Sequence, residues 1–333
     1  TLQASASLGY NANTTFRNNV LTDNLGRWHA LGFADRSRRM PSVVRDGITP
    51  RAFDLPGAMM LDYETKSFKG SMAPRVHSPG FNQNYSFSTG NQKTVFGKQV
   101  GFIVGLSYQR SYEYYNNGDL GRFFLPGSVS APSLDTLYSL QDERSKESVL
   151  WGALLNTTVK LDATNKIGLN LMHNQSADAS TRFLEGLFPY ASGHNPNFFA
   201  QLRAMEYVQR SLSSGQLRGE HLLGRSGPKV DWSGAFTLSG QDEPDLKYFN
   251  NLRHGTAPDY SYDAVSNNIR PASRYFRDME ESNIDLKVNV EIPVRTGDTK
   301  SAIKVGTSFL KKRREFNEKI IQYKQEPYAS SYT

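Results

Sequence analysis

The sequence predicts an all-β fold: a transmembrane antiparallel β-barrel wall of about nine strands, with short periplasmic turns and long extracellular loops. Three observations predict it. Apolar and polar residues alternate with period two over stretches longer than the roughly 5–6 residues of a globular strand. The connections alternate short and long along the chain, as they do in outer-membrane barrels. No apolar run approaches the ~18 residues of a membrane helix, yet 12% of the residues are aromatic.

Each strand is read by parity, because successive side chains point to opposite faces. The clearest are 99–113 and 283–294. In the first, Val100, Phe102, Val104, Leu106 and Tyr108 share one face. Gln99, Gln109, Ser111 and Glu113 share the other. The apolar row ends in Tyr112 and Tyr114, an expected interfacial aromatic belt. In the second, Ile284, Leu286, Val288, Val290, Ile292 and Val294 alternate with Asn283, Asp285, Lys287, Asn289 and Glu291. Residues 230–241 repeat the scheme, with Val230, Trp232, Phe236 and Leu238 against Asp231, Ser233, Thr237 and Gln241. Further strands are read at 2–12, 81–89, 149–161, 167–171 and 303–309. The stretch 207–223 also fits, but its parity slips near Ser213, which predicts a bulge there.

The short connections fall at 90–97, 162–166, 224–229 and 295–300, where Gly, Asn, Asp and Pro supply turn chemistry. The long ones are expected at 17–78, 115–146, 183–201 and 243–280. Loops of that length argue against a compact soluble domain. A β-sandwich or propeller is the soluble rival, but no blade repeat of fixed period is present.

The composition fits a wet lumen inside a lipid-facing skin. Hydrophobic residues make up 38%, while 17 Tyr and 19 Phe exclude a disordered chain. There is no cysteine, so disulfides, thiolate metal sites and thiol nucleophiles are excluded. The net charge of +7 raises the question of nucleic acid. No nucleic-acid fold signature accompanies the charge, so no nucleic-acid partner is expected.

The residues also resemble a known family. Trp28 with Leu31, Gly32 and Phe33, then Asp35, Arg39 and Pro41, is similar to an early extracellular-loop pattern of TonB-dependent outer-membrane receptors, especially the large Bacteroidetes-type ones. The stretches 82–88 with 97–102, and 210–221 with 230–232 and 242–249, resemble later hairpins of that barrel. The resemblance implies a barrel of about 22 strands closed around an N-terminal plug. Residues 1–333 would then be the middle of one barrel domain, with the plug and the C-terminal strands outside this chain. It also implies ligand capture in extracellular loops, import powered by TonB through the plug, and a multi-pass place in a bacterial outer membrane. Lipid, lipopolysaccharide and a surface lipoprotein or larger outer-membrane complex would be its partners. The cargo class stays open between siderophore, glycan, peptide and vitamin.

Candidate residues follow from chemistry and position. Trp28, Phe33, Arg36, Arg38 and Arg39 combine guanidinium and aromatic groups suited to anionic or sugar-like ligands. Gln99, Gln109, Glu113, Asp231, Asn283, Asp285, Lys287 and Asn289 would line the lumen or contact a plug. Lys311, Lys312, Arg313 and Arg314 could pair with lipopolysaccharide phosphates. The six histidines are scattered singly, and no metal, cofactor or catalytic group is expected. Asp242, Glu243 and Asp245 around Pro244 offer too few oxygens for calcium and read as a strand end and turn. Two other functions remain beside the receptor: a barrel serving a secretion or assembly complex, and a small outer-membrane barrel enzyme.

Overall fold

The computed structural model describes residues 1–23, 25–45, 54–127, 129–130, 132–191, 195–224, 227–262, 269–296 and 299–323. The strands are β1 (Leu2–Gly9), β2 (Val20–Thr22), β3 (Arg75–His77), β4 (Asn82–Val95), β5 (Lys98–Phe124), β6 (Asp135–Lys160), β7 (Asn165–Leu187), β8 (Phe198–Leu222), β9 (Lys229–His254), β10 (Ser273–Thr296) and β11 (Thr299–Gln322). Nine of them form one antiparallel sheet in the order β1-β4-β5-β6-β7-β8-β9-β10-β11, and β2 pairs with β3. Among the described residues the sheet is open, with β1 and β11 at its edges.

The strands are longer than the alternation alone marks. Those from β5 to β11 run 23 to 27 residues. At about 3.3 Å per residue that is roughly 75–90 Å of extended chain. The expected loops at 115–146, 183–201 and 243–280 are therefore corrected to 125–134, 188–197 and 255–272. Short turns still alternate with longer connections.

Register assigns every side chain to a face. Leu2, Thr89, Val104, Leu155, Leu171, Gly215, Phe236 and Ile284 form one cross-strand row. The neighbouring row carries Phe102, Thr157, Leu169, Leu217, Gly234, Leu286 and Phe309. These rows make an apolar belt near the short turns, and among the described residues nothing covers it. Leu106, Phe236 and Leu286 are 50%, 48% and 49% exposed.

Beyond the belt, the same face is covered by the described residues of the segment 10–81. This segment holds β2, β3 and the helices α1 (Ser42–Arg45) and α2 (Leu55–Ser67). Asp54 caps α2 by accepting from the Gly57 amide at 2.8 Å. The docking bonds run to belt-face residues. Tyr108 Oη donates to the Ala30 carbonyl, Trp151 Nε1 to Leu31, and Gln175 Nε2 to Gly32. Tyr112 is buried and Tyr114 donates to Glu143, so neither forms the exposed aromatic belt expected of them. The outer rim of the belt is instead marked by the registered trio Tyr85, Tyr108 and Trp151.

The expected bulge near Ser213 is absent, because β8 pairs without a break from Gln209 to Leu222. The parity slip has another cause: Ser213 and Gly215 are small residues beside Leu238 and Phe236. The register shift lies further out. Between the Gln209–Asp242 and Met205–Lys247 pairs, β9 carries one residue more than β8. Asp245 takes up the extra residue at φ 63. Asp242 to Asp245 is thus a bulge inside a continuous strand, not a strand end.

Candidate functional site

The polar face of the sheet gathers all eight expected lumen residues. Gln99, Lys160, Lys166, Glu220, Asp231 and Asn289 form one row across six strands. Lys287, Asp285 and Asn283 occupy the next rows of β10, and Gln109 and Glu113 stand further out on β5. Their parity follows directly from the apolar residues between them.

Most charges on this face are compensated side by side. Lys166 and Lys229 flank Glu220 at 3.0 and 3.3 Å. Asn289 donates to Asp231, and Lys304 stands 3.6 Å from the same carboxylate. Asn156 donates to Asn170 at 2.5 Å, and Asn170 donates to Gln216 at 2.9 Å. Asp178 gathers Ser148, Lys146 and Arg210. Such ladders satisfy polar groups without burying them, which suits a wetted wall. Among the described residues no group of three or more His, Asp or Glu could hold a metal ion.

The five loop candidates lie on the opposite face, within the segment docked over the belt side. Trp28, Phe33, Arg36 and Arg39 are exposed there. Arg38 is not available to a ligand. It is 2% exposed, bonds Asp23 at 2.9 Å and stacks over Tyr207. The loop and lumen candidates therefore do not form one site.

Two buried charge groups hold the segment down. His29 Nε2 lies 3.1 Å from Glu147, which also meets Arg110 at 2.5 Å. Burial opposes the Glu147 carboxylate, but His29 and Arg110 together hold its pKa below the ordinary value. In the second group, Lys247 reaches Asp23 at 2.9 Å, and Arg274 bonds Asp245 at 2.8 Å. The sequence gives no sign of these pairs, because Asp23 and Lys247 are 224 residues apart.

Asp242 is a separate case on the same face. Burial, then repulsion from Asp278, pushes its pKa up to about 6, against a hydrogen bond from Gln209. The folded protein thus binds this proton more tightly than the unfolded chain. Stability is lost as pH rises from the unfolded value near 4 through about 6. Asp242→Asn should gain up to about 3 kcal/mol at pH 8, less what solvent screening of this partly exposed group removes, and little at pH 4, since each pKa unit is worth about 1.4 kcal/mol. Thermal unfolding at the two pH values measures this.

The basic run on β11 is split by parity. Lys311 and Arg313 register with Ile284 and Ser282 on the belt face. Lys312 and Arg314 point to the polar face, where both bind Glu281, at 2.9 and 2.5 Å. On the belt side Arg313 pairs with Glu315.

No protein-family model matches the chain, and neither a curated protein nor a solved structure matches it.

Proposed function

We propose that the chain forms part of the wall of an outer-membrane β-barrel of the TonB-dependent receptor type, which binds a ligand from outside and passes it inward along the polar face. One observation carries this reading. An uncovered apolar belt crosses the sheet, and the face behind it is a hydrogen-bonded polar ladder. In water such a belt is a liability. In a bilayer it is a skin, with Tyr85, Tyr108 and Trp151 at the headgroup level. On β10 the belt runs from Ile284 to Val294, about 35 Å of chain at ~3.3 Å per residue. Tilted by about 45°, it spans roughly the 25 Å of a barrel's apolar band. Hydrocarbon tolerates no open strand edge, so β1 and β11 would pair with further strands in the membrane.

The absence of cysteine makes the test clean. Single cysteines at Leu106, Leu171, Phe236 and Leu286 should resist a charged, membrane-impermeant maleimide in lipid vesicles. Cysteines at Gln109, Asn170, Thr237 and Asp285 should react. Equal reactivity of the two sets would remove the reading.

A further inference from the structure

The polar face carries a cavity of about 310 Å³ at its outer end. That is small but within the range of ligand pockets, about 300–1,000 Å³. Its walls come from the distal halves of β6 to β9, where parity still assigns Leu140, Leu184 and Leu202 to the polar face. Beyond the β9 bulge the parity of that strand inverts, and Tyr248 and Asn250 join them opposite Ala204 and Leu202. Phe188 and Ile269 complete an apolar enclosure.

The charge of this cavity is one-sided. Its lining includes Arg182, Arg203 and Arg270 and no carboxylate. Arg182 is neutralised by a two-pronged bond to Asp142, at 2.8 Å through each nitrogen. Arg203 follows Leu202 on β8 and turns its guanidinium to the other face of the sheet, where it donates to Gln201 and stacks over Phe183 and Phe249. Arg270 differs. Its guanidinium lies 4.2 Å from the Tyr248 ring centroid and 5.5 Å from that of Tyr275. Among the described residues no carboxylate pairs with it. Asn250 Nδ2 fixes its backbone by donating to the Arg270 carbonyl at 2.6 Å. A fixed, exposed guanidinium stacked on tyrosine beside an apolar enclosure fits a ligand with a flat apolar body and one negative end.

We propose that this cavity binds a small aromatic carboxylate of one or two rings, its body against Leu184, Leu202 and Phe188 and its carboxylate on Arg270. The proposal rests on the passage reading only for its biological sense, since the cavity opens on the face assigned to the lumen. Binding itself depends on the residues named.

The test uses the full chain and indole-3-acetate, with indole-3-acetamide as its neutral partner, in equilibrium dialysis at pH 7.5. We expect saturable binding of the carboxylate to one site and at least tenfold weaker binding of the amide. Arg270→Leu, at an exposed position, should weaken the carboxylate at least tenfold and leave the amide unchanged. Leu184→Trp, which fills the cavity, should abolish binding of both. No saturable binding, or equal binding of acid and amide, overturns the proposal, as does Arg270→Leu binding like the wild type. The cysteine-labelling pattern is read on the same preparation. If it holds while binding fails, only the cavity inference falls; if binding holds while labelling fails, only the passage reading falls.

Discussion

Asp23→Ala is expected to release the segment of residues 10–81 from the sheet. Asp23 is the shared counter-ion of Arg38 and Lys247, and all three are buried. Removing it takes from Arg38 and Lys247 their shared carboxylate and leaves Asp245, 3.6 Å from Lys247 and already bonded to Arg274, beside more buried positive charge than it can balance. Breaking a buried pair in this way costs about 3–5 kcal/mol, because the remaining charge keeps its desolvation penalty. The loss is local, since the sheet strands pair without the segment's help. Limited trypsin digestion reads it: cleavage after Arg17, Arg27 and Arg36 should become rapid, while the sheet resists. The control is Asp62→Ala, which breaks an exposed pair with Lys66. Exposed helix pairs contribute only about 0.3–0.5 kcal/mol, so this variant should digest like the wild type. If both variants digest alike, the buried group does not hold the segment.

Leu286→Arg is expected to have the second large effect, and only in lipid. Leu286 is 49% exposed, so arginine displaces little protein packing there. In water the change should fall within about 0.5 kcal/mol. At the middle of a barrel's lipid face it should cost about 2–4 kcal/mol. Asp285→Arg, one residue away on the polar face, should be tolerated in lipid. Unfolding in phosphatidylcholine vesicles compares the pair. Equal behaviour of the two variants would show that the belt does not face hydrocarbon.

The strands near the turns were legible because one face there is apolar and the other polar, as at Asn283 to Val294. The outer halves were not. On β6, Asp142, Glu143 and Arg144 are consecutive charges, yet each side satisfies its own: Asp142 with Arg182 on one, Glu143 with Tyr114 on the other. Alternation vanishes where both faces are polar, and the strand reads as loop. The eight lumen candidates share a face because parity is local information. The loop candidates could not be placed, since docking depends on contacts such as Lys247 with Asp23, far apart in sequence. Arg38 shows the cost of that blindness. Beside Arg36 and Arg39 it looks like a third exposed cation, while its fold position makes it a buried tie. Arg270 carries no signal in the sequence, because nothing around it there shows that Tyr248 and Tyr275 stack against it.

The extra residue at Asp245 decides which face every later residue of β9 meets. Side on a strand is a two-valued property, and an odd insertion or deletion toggles it for everything beyond. Deleting one residue at the bulge would turn Lys247 away from Asp23 and carry Tyr248 and Asn250 out of the cavity. Residues from Lys229 to Gln241 would keep their places. The rim's chemistry can thus be exchanged between the two sides by a single codon, without a change in any other residue type and without disturbing the half of the strand below it.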